Sequence, residues 1–69
     1  MYKVCFWYVN ENERYVLLFE TQMPFIPEIG KEMYFSLDNE RHYAEIDSIE
    51  YVFDDSNKFS HINARIGRF

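Results

Sequence analysis

The sequence predicts an all-β fold, a five-stranded antiparallel small barrel. Three observations point there. Short apolar runs rich in aromatic and β-branched residues recur along the chain, separated by polar turn segments. Both prolines, Pro24 and Pro27, fall in one stretch between such runs, so that stretch is no central strand. The longest run, His42–Phe53, alternates as a strand provided that it slips phase once.

That run reads HYAEIDSIEYVF. Ala44 and Ile46 share one parity, whereas Ile49, Tyr51 and Phe53 share the other. A β-bulge at Asp47-Ser48 reconciles the two and bends the strand, which lets one long strand serve both halves of a barrel. The competing reading is α+β, with residues 40–53 as one helix packed on a sheet. Tyr43, Ile46, Ile49 and Phe53 then lie on one helical face. Ala44, Tyr51 and Val52 would point elsewhere and leave no clean polar face, so the strand is preferred.

The other elements follow in order. Tyr2–Val9 is the first strand, with Val4, Phe6 and Tyr8 inward and Cys5, Trp7 and Val9 outward on the side of Lys3. Asn10-Glu11-Asn12-Glu13 makes a polar hairpin connection. Arg14–Gln22 is the second strand, with Tyr15, Leu17 and Phe19 inward; Val16 and Leu18 share the outward parity of Glu20 and Gln22. Met23–Lys31 is an extended elbow in which Phe25, Ile26 and Ile29 tuck under the sheet and Gly30 supplies a turn. Glu32–Leu37 is the third strand, with Met33, Phe35 and Leu37 inward and Tyr34 and Ser36 outward. Asp38-Asn39-Glu40-Arg41 turns the chain into the long strand, and Asp54–Lys58 is the clearest loop. Phe59–Ile66 closes the set, with Ile62, Ala64 and Ile66 inward and His61, Asn63 and Arg65 outward.

Sixty-nine residues make one domain, 1–69. A chain of this size buries only about 60% of its unfolded surface, so its stability is marginal. Cys5 is the only cysteine, so no internal disulfide supports the fold. A dense aromatic core (20% of residues), a partner or self-association must supply the support. The net charge of −5 argues against a nucleic-acid surface and against attachment to an anionic membrane. The opening MYKVCFWYV is too short for a signal-peptide core or a bilayer span, which fits a cytoplasmic protein with one reduced thiol.

No constellation points to catalysis. Cys5 lies in an apolar strand, whereas a reactive thiol needs a base and an activating environment. His42 and His61 stand at strand starts in positions read as exposed, and neither has a Cys/His cluster that would hold zinc. Asp38, Glu40, Asp54 and Asp55 lack the spacing of a calcium loop and fall where turns need them. The expectation is therefore a non-enzyme with no metal and no cofactor. The best lead is the outward apolar set, Cys5, Trp7, Val9, Val16, Leu18 and Tyr34, if the first three strands pair side by side.

The spacing Pro27-x-Ile29-Gly30, then Met33-x-Phe35-x-Leu37, then Ala44-x-Ile46-x-x-Ile49-x-Tyr51 resembles SH3-like small barrels, including domains of small bacterial and phage proteins. The likeness covers about half the chain and rests on spacing and residue class. It implies a barrel and a binding role and transfers no catalytic residue. Two functions are weighed. The first is a non-catalytic protein-binding or scaffold module, possible also as a homodimer, acting through Trp7, Val9, Val16, Leu18 and Tyr34. The second is a small acidic inhibitor or decoy for a basic, nucleic-acid-binding partner, presenting Asp38, Glu40, Glu45, Asp47, Glu50, Asp54 and Asp55.

Overall fold

Five strands and no helix make up the chain in a computed structural model that describes residues 1–69. They are β1 (Tyr2–Val9), β2 (Tyr15–Met23), β3 (Glu32–Leu37), β4 (Glu40–Phe53) and β5 (Phe59–Ile66). No helix is present that is long and apolar enough to cross a membrane. The order across the sheet is β2-β1-β5-β4-β3. The helical alternative for residues 40–53 is thereby set aside, and the all-β reading stands.

The bend in β4 falls where the parity slip requires it. Ile46 pairs with Ile66 and Ser48 with Arg65, so Asp47 is the extra residue. Beyond the bulge the first half of β4 leaves β5 and pairs with β3, from Glu32 opposite Glu45 to Leu37 opposite Glu40. At the bend both sides of the β4 backbone stay bonded. The Gly30 amide donates to the Ile46 carbonyl at 2.8 Å, and the Ile46 amide donates to the Lys31 carbonyl at 2.9 Å. On the other side the Gly67 amide donates to the Glu45 carbonyl at 2.9 Å. The β3–β4 hairpin thus curls over the inner face, and Phe35 reaches Phe19 of β2 with ring centres 6.2 Å apart. β2 and β3 remain unpaired edges, so the sheet is a half-barrel shut by side chains.

An antiparallel barrel was expected throughout, but β1 and β5 run parallel, with Val4 beside Ile62 and Trp7 beside Arg65. The elbow is the reason. Met23 pairs with Tyr2 at one end of the sheet, while Gly30 bonds to Ile46, which lies level with Ile66 at the other end. Residues 24–29 therefore travel back along the sheet without joining it. This unpaired pass reverses the sense in which the later strands arrive. Within the elbow Pro27 is buried and Ile26 packs on the core, but Phe25 and Ile29 are exposed, contrary to the expectation that all three apolar residues tuck under.

The core comprises Val4, Phe6, Phe35, Ala44, Ile46, Ile62, Ala64 and Ile66, all of inward parity. Small Ala44 and Ala64 let the layers approach, while Phe6 packs on Phe19 at 5.1 Å. After β5 the chain lays Phe69 across one end of this face, against Tyr8, Phe35 and His42 at 5.0–5.2 Å.

Two hairpin loops solve the same turn in the same way. Asn10 Oδ1 accepts the amides of Asn12 and Arg14, and Asp54 Oδ1 accepts those of Ser56 and Lys58. In each, the fourth residue has left-handed backbone, Glu13 at φ 59° and Asn57 at φ 60°. Between β3 and β4, Asp38 and Asn39 form a two-residue turn with φ of 52° and 67°, the mirror-type turn that suits strand twist. Glu40 and Arg41, expected in that turn, belong to β4.

Two stability changes test this account. Ile62→Ala empties a fully buried site and should cost about 2–5 kcal/mol, enough to unfold much of a domain this small. Gly30 has φ 89° and open space around its Cβ position, so Gly30→Ala should cost about 1 kcal/mol through backbone strain alone. Urea unfolding followed by circular dichroism measures both, with Gly30→Asn expected to lose less because Asn tolerates this region better.

Candidate functional site

The outer face of β2-β1-β5-β4 is built of rows that cross the strands. One row runs Leu17, Trp7, Arg65, Ser48. The next runs Glu20, Cys5, Asn63, Glu50. Tyr15 pairs with Val9 at the near end of the sheet. Trp7 sits where the apolar side of this surface meets the polar side, half-buried. Its indole Nε1–H donates to Asn63 Oδ1 at 2.9 Å, and Asn63 Nδ2 donates to Glu50 Oε1 at 3.0 Å. This relay leaves the Trp7 ring in one orientation, with its donor satisfied as a partly buried indole requires.

Around Trp7 lies a shallow concavity of about 420 Å³, lined by Trp7, Tyr15, Ser48, Glu50, Asn63 and Arg65. Tyr15, Leu17 and Val9 are exposed beside it. Tyr15 and Leu17 belong to β2, whose backbone has no neighbour on its outer edge, and Val9 is the β1 partner of Tyr15. Lys3 and Glu20 form an ion pair at 3.6 Å with both side chains about half exposed, so it contributes little.

The structure redistributes the residues expected to form one apolar surface. Trp7 and Val9 are on it. Leu18 is not, because β2 bulges there: Phe6 faces Phe19 and Trp7 faces Leu17, so Leu18 is the residue skipped and it packs on the core. The slip also exchanges the parity of the preceding residues. Val16 lies opposite inward Tyr8, while Tyr15 and Leu17, expected inside, stand outside. Tyr34 faces outward but lies at the opposite edge of the sheet, because β3 is separated from β1 by β4 and β5. It pairs there with Tyr43, rings 4.9 Å apart, with the Arg41 guanidinium 5.8 Å from its centre. Alternation along β5 turns the polar half of the site, Asn63 and Arg65, outward. Only the order of strands puts them beside Trp7.

The remaining candidates separate cleanly. Both histidines are half-buried rather than solvated: His42 packs between Phe35 and Phe69, and His61 Nδ1 lies 2.8 Å from Ser60 Oγ. No three His, Cys, Asp or Glu side chains converge. The carboxylates proposed for an acidic surface are spread over the length of β4, from Asp38 before it to Asp54 and Asp55 after it, and Glu50 is engaged by Asn63. Cys5 is buried in the same outer rows. Burial pushes its thiol pKa up, the Glu20 carboxylate adds to the rise, and the Lys3 ammonium opposes it. The thiol therefore stays protonated at neutral pH, which makes it a poor nucleophile.

The sign of that shift gives a test. A thiol whose folded value is raised contributes stability that is whole below the ordinary thiol value of the unfolded chain and is lost as pH rises through the folded value. Urea midpoints should fall in that alkaline range in the native protein and fall less in Cys5→Ala. A disulfide reagent at pH 7 should label native Cys5 at least about a hundredfold more slowly than the unfolded chain. Comparison of the chain with protein-family models, with curated proteins and with solved structures finds no match.

Proposed function

We propose that the protein is a non-catalytic binding module whose protein partner lies on the outer face around Trp7. The observation that supports this reading is the anchored indole, half-buried and held by Asn63, beside exposed Tyr15, Leu17 and Val9. A fixed aromatic ring next to bare apolar neighbours and a polar margin is the composition of an interface centre with its rim. The free edge of β2 adds backbone donors and acceptors within reach of an extended partner segment. The likeness of the elbow and the following strands to SH3-like barrels supports the same role. The parallel pairing of β1 and β5 marks where this chain departs from an all-antiparallel barrel.

A partner captured from the native host tests the assignment. Trp7→Ala should weaken its capture by roughly thirtyfold, a loss of about 2 kcal/mol, and Leu17→Glu should do the same. Val16→Ala, on the other side of the strand, should leave capture unchanged. Binding that survives both outer-face changes, in variants with native circular dichroism, would place the contact elsewhere.

A further inference from the structure

A second exposed surface lies on the inner face, at the end away from Phe69. β4 has 14 residues and β3 only 6, and β3 pairs with the first part of β4 alone. The part of β4 after the bulge therefore has no strand above it. There Tyr51 stands opposite Ile62, and Phe53 opposite Phe59. Phe53 and Phe59 meet edge to face at 6.0 Å, and Phe59 meets Tyr2 of β1 at 6.1 Å. Tyr51 and Phe53 are 53% and 55% exposed, and Tyr2 and Phe59 36% and 42%.

We infer that this aromatic end is the contact between two copies of the chain. Close to two whole rings' worth of surface is bare, roughly 400 Å² per copy on a scale of 150–250 Å² per ring. Two such patches face to face bury about 800 Å². With the flanking loops they approach the roughly 1,000 Å² at which a specific contact begins, as expected of a weak, concentration-dependent dimer. None of the three main concavities of the molecule reaches the patch, so its shape suits a second flat surface rather than a small molecule.

The rim favours a like partner. The loop joining Phe53 to Phe59 is held by Asp54, which accepts the amides of Ser56 and Lys58. It carries the Asp55 carboxylate and the Lys58 ammonium, neither of which forms an ion pair within the chain. In the proposed dimer the two-fold axis runs beside this loop, an orientation that would bring each Lys58 to the other copy's Asp55 and pair opposite charges despite a net charge of −5 on each copy. This contact is separate from the outer face around Trp7, and neither reading depends on the other.

Sedimentation velocity from micromolar to millimolar protein tests it. The wild type should dimerise reversibly, and Phe53→Glu should weaken dimerisation tenfold or more, with Tyr51→Glu as an independent variant. Lys58→Glu should weaken it, and adding Asp55→Lys should restore it, a recovery that a folding defect would not show. Cys5 is buried, so Phe53→Cys supplies the one accessible thiol and should form a disulfide-linked dimer under mild oxidation. Trp7→Ala should leave all of this intact. A monomer at every concentration, a dimer indifferent to Phe53→Glu, or a dimer lost in Trp7→Ala would overturn the proposal.

Discussion

One inserted residue governs the shape of this molecule. Asp47 is unmatched on β5, and by occupying a place in the strand it turns the β4 backbone out of one sheet and into another. β5 ends at Ile66, opposite Ile46, so the first half of β4 must pair elsewhere, and the bend aims it so that the β3 hairpin folds over the sheet rather than extending it. Without the bend Phe35 would have no route to Phe19, and the core would lose its cover. The turn is feasible because the flanking backbone groups are not orphaned. Gly30, Lys31 and Gly67 bond to Glu45 and Ile46, so the strand changes partners with its polar groups satisfied.

The bulge was legible because alternation has a strict period, and a run that breaks it must either insert a residue or cease to be a strand. The same logic placed the inward residues of β1, β3 and β5 correctly. It failed on β2. Val16-Leu17-Leu18-Phe19 is apolar on both parities, so it holds no polar residue that would expose the slip at Leu18. Strand order was hidden for a different reason. The elbow contains residues that read as a turn region, but its decisive act is to traverse the sheet unpaired. Nothing in Pro24-Phe25-Ile26-Pro27 distinguishes a traverse from a turn. The Trp7 site inherits both gaps: its anchor was visible, while Tyr15 and Leu17 were assigned to the wrong face and Asn63, Arg65 and Glu50 became neighbours only through topology.

The two hairpin loops show why local chemistry was easier to read than topology. An Asx side chain at the first loop position bonds two amides ahead of it and needs no distant partner. The fourth position then takes left-handed backbone, which Asn57 accepts readily and Glu13 accepts at some cost. Asn12, the residue better suited to that conformation, stands one place too early. Local rules thus identify the loop and leave open which residue bears its strain.

Burial across the chain is uneven in a way that follows from strand lengths. Val4 and Ile62 are fully enclosed near the middle of the sheet, where β1, β5 and the elbow overlap with the folded hairpin. Six residues of β3 cannot shield fourteen of β4, so the aromatic rings beyond the bulge remain bare however well the centre packs. A longer β3 would cover them, but it would also need a longer first half of β4 to pair with. The outer face differs in kind: Trp7 is half-buried on a surface whose polar groups hold it, while Tyr51 and Phe53 lie on a surface that the fold leaves unfinished. An anchored ring and an uncovered one have different physical origins, and this separates the two surfaces as sites.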